Sequence, residues 1–304
     1  MEACNQTIGR FILLGLSYDP EVHIIVCISI LLLYLMCQSG NMLIMILIYG
    51  DLHLHTPMYF FLSNLSFLDI CYTSVTLPKL LAMIWNERGI SLIECFAQCH
   101  FVLSFQSTEY LLLTVMAYDR FVAICRPLHY LFAMSNNMCI TLALFSWLII
   151  YFFTVPITIL ISTLQFCSSC EINHFYCDVM PLLQLSCSDI TRIQVVIFIA
   201  AILLGIPCFF LTLTSYIFIV RNIIAIRSSK GRSKAFSTCS SHLTIVTLLY
   251  LVLFSLYLRP PSKTFLSDGK VISLLNVAII PMLNPIIYSL RNKDVKQALK
   301  KLIH

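Results

Sequence analysis

The chain has 304 residues, of which 59% are hydrophobic and 11% charged, against roughly 25% charged in an ordinary soluble domain. That composition excludes a water-soluble globule, a disordered chain and a collagen-like fibre, and it suits repeated crossings of a bilayer. Nineteen Lys and Arg against fourteen Asp and Glu leave a formal charge of +5, and where that excess sits orients the chain.

Residues 1–22, MEACNQTIGRFILLGLSYDPEV, carry no basic region followed by a small-residue cleavage site, so the first span is expected to direct insertion. Apolar runs then fall near 23–48, 58–83, 93–118, 139–162, 193–220, 237–258 and 271–290. A hydrocarbon core of about 30 Å takes about 20 helical residues, and each run meets that length. Runs such as TLALFSWLIIYFFTVPITIL are continuously apolar rather than alternating, which argues against a membrane β-barrel. Of the fourteen cysteines, Cys27, Cys37, Cys71, Cys139 and Cys208 lie inside these runs and read as small hydrophobes.

Seven crossings put the two termini on opposite sides. The segments 119–138, 221–236 and 291–304 hold twelve of the nineteen basic residues, which places them in the cytoplasm and the N-terminus outside. Asn5-Gln6-Thr7 is then an accessible glycosylation acceptor. The expected architecture is an all-α membrane protein, a single seven-transmembrane helix bundle. It divides into an extracellular segment 1–22, a bundle 23–290 with a long external loop 163–192, and a cytoplasmic tail 291–304. In that tail Val295, Leu299 and Leu302 share one side and lysines cover the rest, the pattern of a short amphipathic helix on the inner leaflet.

Polar groups inside apolar runs carry the chemistry. Asp69 and Glu109 are intramembrane acids, which must face a polar interior. Asp119-Arg120 stands at the inner end of the third span, Tyr216 towards the inner end of the fifth, and Asn284-Pro285 with Tyr288 in the seventh, where the proline allows a bend. No convergent set of nucleophile, acid–base groups or metal ligands points to an enzyme. His53-Leu54-His55 reads as polar loop, His174 and Cys177 as a weak zinc pair, and Gly231 stands alone without a phosphate-loop pattern.

Five blocks in order, LHTPMYFFLSNLSFLD at 54–69, MAYDRFVAICRPLHY at 116–130, SY at 215–216, KAFSTCSSHL at 234–243 and PMLNPIIYSLRN at 281–292, resemble the olfactory receptor family. That family is the tetrapod-type, class II group of rhodopsin-like G-protein-coupled receptors. The resemblance runs from about Gly40 to Leu299. It implies that Arg120 contacts a G protein when active, with Asp119 beside it, and that Tyr216 and Tyr288 move in around Arg120 as the sixth span swings out. Arg126, His129 and the basic segment 221–236 complete the inner docking surface. It implies a polar cluster of Asp69, Glu109 and Asn284, in which a sodium ion or a shared proton offsets the repulsion of the two acids.

On the outer side the resemblance implies disulfides Cys95–Cys177 and Cys167–Cys187, while Cys170 departs from the usual pattern and is either free or paired with Cys4. It also implies a ligand pocket between the third, fifth, sixth and seventh spans, with His100, Leu103, Ser104, Ser107, Ala200, Leu204, Tyr250 and Tyr257. Spacings of four and seven residues put Leu103 with Ser107, and Tyr250 with Tyr257, on common helix sides. Apolar walls would hold a small volatile molecule and a few hydroxyl or imidazole groups would orient it. The usual Phe-Tyr-Gly of the sixth span is Leu249-Tyr250-Leu251 here, and the usual tyrosine after Asp-Arg is Phe121.

The function so implied is an odorant receptor that activates an olfactory-type stimulatory G protein and raises cyclic AMP, in the plasma membrane and in sensory-neuron cilia. Its partners are a volatile odorant, that G protein and membrane lipid, with no nucleic acid and no covalent cofactor. The competing readings are a receptor for another small metabolite outside the nose, a transporter or channel, and a structural membrane protein.

Overall fold

The computed structural model describes residues 10–16, 23–85, 87–166, 170–257, 265–291 and 293–303, without the side chains of 23, 230, 233–235, 237, 238, 256, 257, 265–268, 288–291, 293 and 303. Asn5, Cys4 and Cys167, and the side chains of Tyr257 and Tyr288, lie outside the described set.

Each expected span is helical: α1 His23–Gly50, α2 Pro57–Ile84, α3 Leu92–Cys125, α4 Asn136–Ser162, α5 Thr191–Ala225 and α6 Ser229–Tyr257. The seventh, α7, is built from Phe265–Leu274, a π-helical turn Leu275–Ile279 and Ile280–Arg291, and the tail forms α8, Lys293–Ile303. Five of these helices carry membrane-length apolar stretches, and the apolar part of α6 is the shorter Cys239–Ser255. The fold is a rhodopsin-like seven-helix bundle. α3 is the most enclosed element, packing against α2, α4, α5 and α6. That position is why it tolerates acids and amides that a lipid-facing helix could not.

Local chemistry sets the helix starts. Pro57 opens α2 with a ready-made backbone angle, and α3 begins on a reciprocal capping box. There the Ser91 Oγ accepts from the Glu94 amide at 3.2 Å and the Glu94 carboxylate accepts from the Ser91 amide at 2.9 Å. α5 is interrupted by a π-helical turn, Ala201–Gly205. The two π turns rotate the residues before them relative to a straight helix, a shift that apolar periodicity does not reveal.

α1 packs against α2 and α7. The Asn41 side chain donates across that contact to the Pro281 carbonyl at 3.1 Å. At the adjacent position a Cβ on Gly40 would stand 2.9 Å from the Cγ of Pro285, one turn along α7 from Pro281, so only glycine admits the proline ring at this crossing.

Three expectations change. The basic segments are largely helical: α3 runs on to Cys125, so Asp119 and Arg120 sit inside it, and α5 and α6 leave only a short gap at 226–228. In α8, Val295 and Ala298 are buried against the bundle, whereas Leu302 is exposed. The outer face carries a small sheet in the order β2-β1-β3, with β1 Arg10–Leu13, β2 Gly89–Ser91 and β3 Glu171–Ile172. β1 runs antiparallel to β2 and parallel to β3, and its Phe11 and Leu13 face inward. The long external loop thus holds β3 and a two-turn helix, Val179–Leu185.

A Gly40→Val substitution is expected to force α1 from α7 and cost about 1–3 kcal/mol, the usual range for overpacking. A thermal-melt comparison in nanodiscs checks it, with Gly50→Val, which meets nothing within 4 Å, as the control expected to melt close to wild type.

Candidate functional site

In the outer half of the bundle the residues expected to line one pocket divide between two directions. His100 and Ser104 turn towards α4: the His100 Nδ1 lies 3.0 Å from the Thr158 Oγ1 and Ser104 Oγ 2.9 Å from Thr154 Oγ1. The His100 ring also packs on Tyr151. Leu103 packs on the outer apolar cluster, which includes Phe11, Ile157, Leu182 and Ile193. Ser107 is half-buried one turn further in. Ala200 immediately precedes the π turn of α5 and Leu204 lies within it.

Tyr250 sits in an aromatic group that links three helices. Its ring lies 5.7 Å from Tyr110 of α3, 5.2 Å from Phe209 of α5 and 6.1 Å from Phe254 of α6. Beneath it, Thr114 and Thr212 hydroxyls meet at 3.2 Å. These rings form an apolar surface edged by hydroxyls, the chemistry of a small-molecule site.

Deeper lies a buried polar cluster. The Asn284 Nδ2 donates to the Asp69 Oδ2 at 2.8 Å, which ties α7 to α2. Asp69 and Glu109 are fully buried and close enough to feel each other's charge. Among the described residues the Asp69 Oδ1, both Glu109 oxygens and the Asn284 Oδ1 have no hydrogen-bond partner. A set of orphaned oxygens on two acids suits a small hard cation or a proton. Above it the Asn276 Nδ2 donates to the Tyr72 hydroxyl at 3.4 Å.

At the inner end Asp119 is completely buried and Arg120 is 9% exposed. The Arg120 Nε lies 3.6 Å from the Asp119 Oδ2, and the Tyr130 hydroxyl donates to the Asp119 Oδ1 at 2.8 Å. Facing them, Tyr216 of α5 hydrogen-bonds to the buried His242 Nδ1 of α6, and Tyr216 stands within an apolar cluster with Cys239 and Ile219. His242 and Cys239 feel the charge of Arg120, so this cluster joins α3, α5 and α6. The Ser241 Oγ donates to the Ile287 carbonyl at 3.3 Å, extending it to α7. Pro285 stands in α7, packed against the Gly40 crossing. The motif blocks contain Tyr130 and His242, but only the folded chain brings them to Asp119 and Tyr216.

The outer cap is covalently tied. Cys95 of α3 is bonded to Cys177, 82 residues on, with Cα atoms 5.4 Å apart. Closing a loop of that length lowers unfolded-chain entropy by about 4–5 kcal/mol in the chain-entropy view. Cys170 and Cys187 are disulfide-bonded too, which removes the free-thiol alternative for Cys170. The Cys177 bond also withdraws that sulfur from a zinc pair with His174, and the described residues contain no cluster of three metal-ligating side chains. The Gln98 Oε1 accepts from the Cys177 amide at 2.9 Å while its Nε2 donates to the Val75 carbonyl at 2.8 Å, fixing loop, α3 and α2 together. His174 stacks on Phe175 and its Nδ1 accepts from the Tyr176 amide. Burial, with Lys270 nearby, pushes its imidazole down to about 3.

Comparison with known proteins gives a consistent result. A family model described as "Olfactory receptor" matches residues 30–304. The chain is 45% identical over 305 residues to Olfactory receptor 1G1 of Gorilla gorilla gorilla, covering 100% of this chain and 97% of that one. It is 43% identical over 298 residues to Olfactory receptor 6C3 of Homo sapiens, covering 98% and 96% respectively. It is 46% identical over 300 residues to Olfactory receptor 1 of Rattus norvegicus, again covering 98% and 96%.

Two outcomes follow from this geometry. His174 holds its proton less tightly when folded than the ordinary 6.5, so its contribution is present above that value and is lost as pH falls from it towards 3. The loss is about 1.4 kcal/mol per pH unit at most. Thermal melts at pH 7.5 and 5.5 should differ in wild type and differ less in His174→Asn. Tyr130→Phe removes a charge-assisted bond from Asp119 and loosens its hold on Arg120, so basal cyclic AMP at equal surface abundance should rise; an unchanged baseline contradicts this role.

Proposed function

The chain belongs to the olfactory receptor family, and from that premise we propose how its own residues carry odorant sensing to the inner face. It is an odorant-sensing seven-span receptor of the plasma membrane, with an extracellular N-terminus and a cytoplasmic C-terminus. It acts through an olfactory-type stimulatory G protein to raise cyclic AMP and is not itself an enzyme. Sensory cilia are the setting such membership implies.

The odorant sits in the outer half, against Leu103, Ser107, Ala200, Leu204, Tyr250 and Tyr257, with Tyr110 and Phe209 beside Tyr250. His100 and Ser104 act from behind, holding α3 to α4 and so fixing the orientation of that wall. Tyr250 is the sensor: a ligand that displaces its ring disturbs contacts to α3 and α5 at once. Binding favours whichever arrangement of α6 the ligand contacts better, and only that difference in affinity drives the switch.

The observation that carries this reading is the inner cluster, where one buried arginine is held by Asp119 and faced by Tyr216, Cys239 and His242. A bundle that only needed packing would not bury a guanidinium with a single acid beside it. Outward movement of α6 separates His242 from Tyr216 and releases Arg120 to a docked G protein, with Tyr288, Asn284 and Pro285 supplying the hinge side of α7. Asp69, Glu109 and Asn284 hold a sodium ion or a shared proton between the two ends. When present, that charge compensates the paired acids and favours the resting arrangement. The domain limits proposed for this mechanism are the extracellular 1–22, the bundle 23–290 and the cytoplasmic tail 291–304, with Asn5 as glycan acceptor and Cys167 as the partner of Cys187.

A screen of volatile compounds with a cyclic-AMP readout tests the reading. Arg120→Ala at normal surface abundance is expected to abolish the response while leaving binding in place, and wild-type signalling from that variant would refute the assignment. Agonist affinity is expected to fall when sodium replaces choline in the buffer if the acid pair holds the cation; equal affinity in both assigns the site to a proton.

A further inference from the structure

The outer cap contains an interaction that odorant binding and G-protein coupling leave unexplained. Lys270, on the first part of α7, is 8% exposed, and its ammonium donates to the Gly15 carbonyl at 2.7 Å. Gly15 ends the N-terminal strand segment in the left-handed region at φ +72°, with Met83 of α2 3.1 Å from where a Cβ would stand. The Gly15 amide in turn donates to the His174 carbonyl at 3.1 Å, so the external loop and α7 hold the same residue from two sides.

The other end of the segment is anchored on the opposite wall. Phe11 is fully buried, its ring 5.1 Å from Phe166 and 6.5 Å from Phe96 of α3. Leu13 shares that cluster with Ile157 of α4 and Ile193 of α5. Between these anchors the backbone is held by Ile12 donating to Cys170 and Leu14 to Ile172. Four extended steps at about 3.3 Å span about 13 Å, more than the 8–10 Å between packed helices. The strand therefore runs from the α3–α4–α5 side of the bundle to α7, across its outer opening.

We infer that Lys270 is a positioning residue that clasps the N-terminal strand over the mouth of the bundle, making that strand a lid which an odorant displaces to enter or leave. The lid sits above the site assigned under the proposed function and rests on that assignment only for the identity of what passes. The clasp is the weakest tie: β1 is bonded to its neighbours along its length, whereas the α7 side is held by a single ammonium–carbonyl bond among the described residues. Breaking that bond leaves the Gly15 end held by its amide on the His174 carbonyl, so the segment opens away from β2 and β3 more readily.

The test uses the full receptor in nanodiscs with Lys270→Met, which keeps the length and removes the donor, and Lys270→Arg, which keeps a donor. Hydrogen–deuterium exchange at residues 11–15 needs no agonist: Lys270→Met should speed it by roughly tenfold or more, and Lys270→Arg should restore most of the protection. Gly15→Ala, which strains the same residue at its left-handed φ, should act like Lys270→Met. In cells, straight-chain alcohols, aldehydes and carboxylic acids serve as probes, and the decay of cyclic AMP after washout should be faster in Lys270→Met for every probe that activates wild type. Unchanged exchange overturns the clasp. Faster exchange with unchanged decay overturns the lid, and a loss of potency confined to the acids makes Lys270 a ligand contact instead. Failure of every probe in wild type bears on the proposed function, while the exchange result still decides the clasp.

Discussion

Hydrocarbon offers no hydrogen bonds, so every polar group that this chain carries into the bilayer must find its partner inside the bundle. Asp69, Glu109, Asn276, Asn284, Asp119 and Arg120 all do their work under that constraint, and all lie on the buried faces of α2, α3 and α7. It fixes α3 at the centre, because only a helix surrounded by others can hold so many polar side chains. It also turns each polar tie into a link between helices: Asn284 to Asp69, Asn41 to Pro281, Asn276 to Tyr72. Outside, the same helices present Ile, Leu and Phe to lipid, where no direction is preferred.

The three levels of the bundle differ in how they are held. The outer end is stapled by disulfides and a small sheet, the middle by amide–carboxylate contacts with oxygens left over, and the inner end by single bonds among Asp119, Arg120, Tyr130, Tyr216 and His242. Apart from the Lys270 clasp, ties in this gradient are strongest at the outer end and weakest at the inner end. At the cytoplasmic rim, α8 is held to the α1–α2 turn by Lys301 on Asp51 at 2.9 Å and to the start of α2 by the Tyr59 hydroxyl on Asp294 at 3.2 Å. Lys301 and the His53 amide hold the Asp51 carboxyl well below the usual carboxylate range.

The spans, their orientation and the family were legible because lipid imposes length and apolarity on every crossing and because the motif blocks occur in order. The rotation of each helix was not. His100 and Ser104, expected in the pocket, hydrogen-bond to Thr158 and Thr154 of α4, partners that the α3 sequence does not indicate; a helix turns about 100° per residue, so the groove a side chain faces is fixed by packing. Tyr130 and His242 stood in plain view within the motifs, but their partners lie 11 and 26 residues away, and nothing local indicates them. The strand β1 was missed because RFIL alternates over only four residues, and its pairing with β2 and β3 is wholly tertiary. The π turns in α5 and α7 leave no mark on apolar periodicity at all.

Odorant sensing through this bundle requires that an odorant at the outer half move α6 away from the arginine cluster at the inner end. Phe236 on α6 and Met138 at the start of α4 are both exposed, and spin labels placed there by Phe236→Cys and Met138→Cys report that movement as a distance distribution. With an activating odorant and the stimulatory G protein a new, longer population is expected that is absent without them. An identical distribution in both conditions, measured while nucleotide exchange is stimulated, would contradict it.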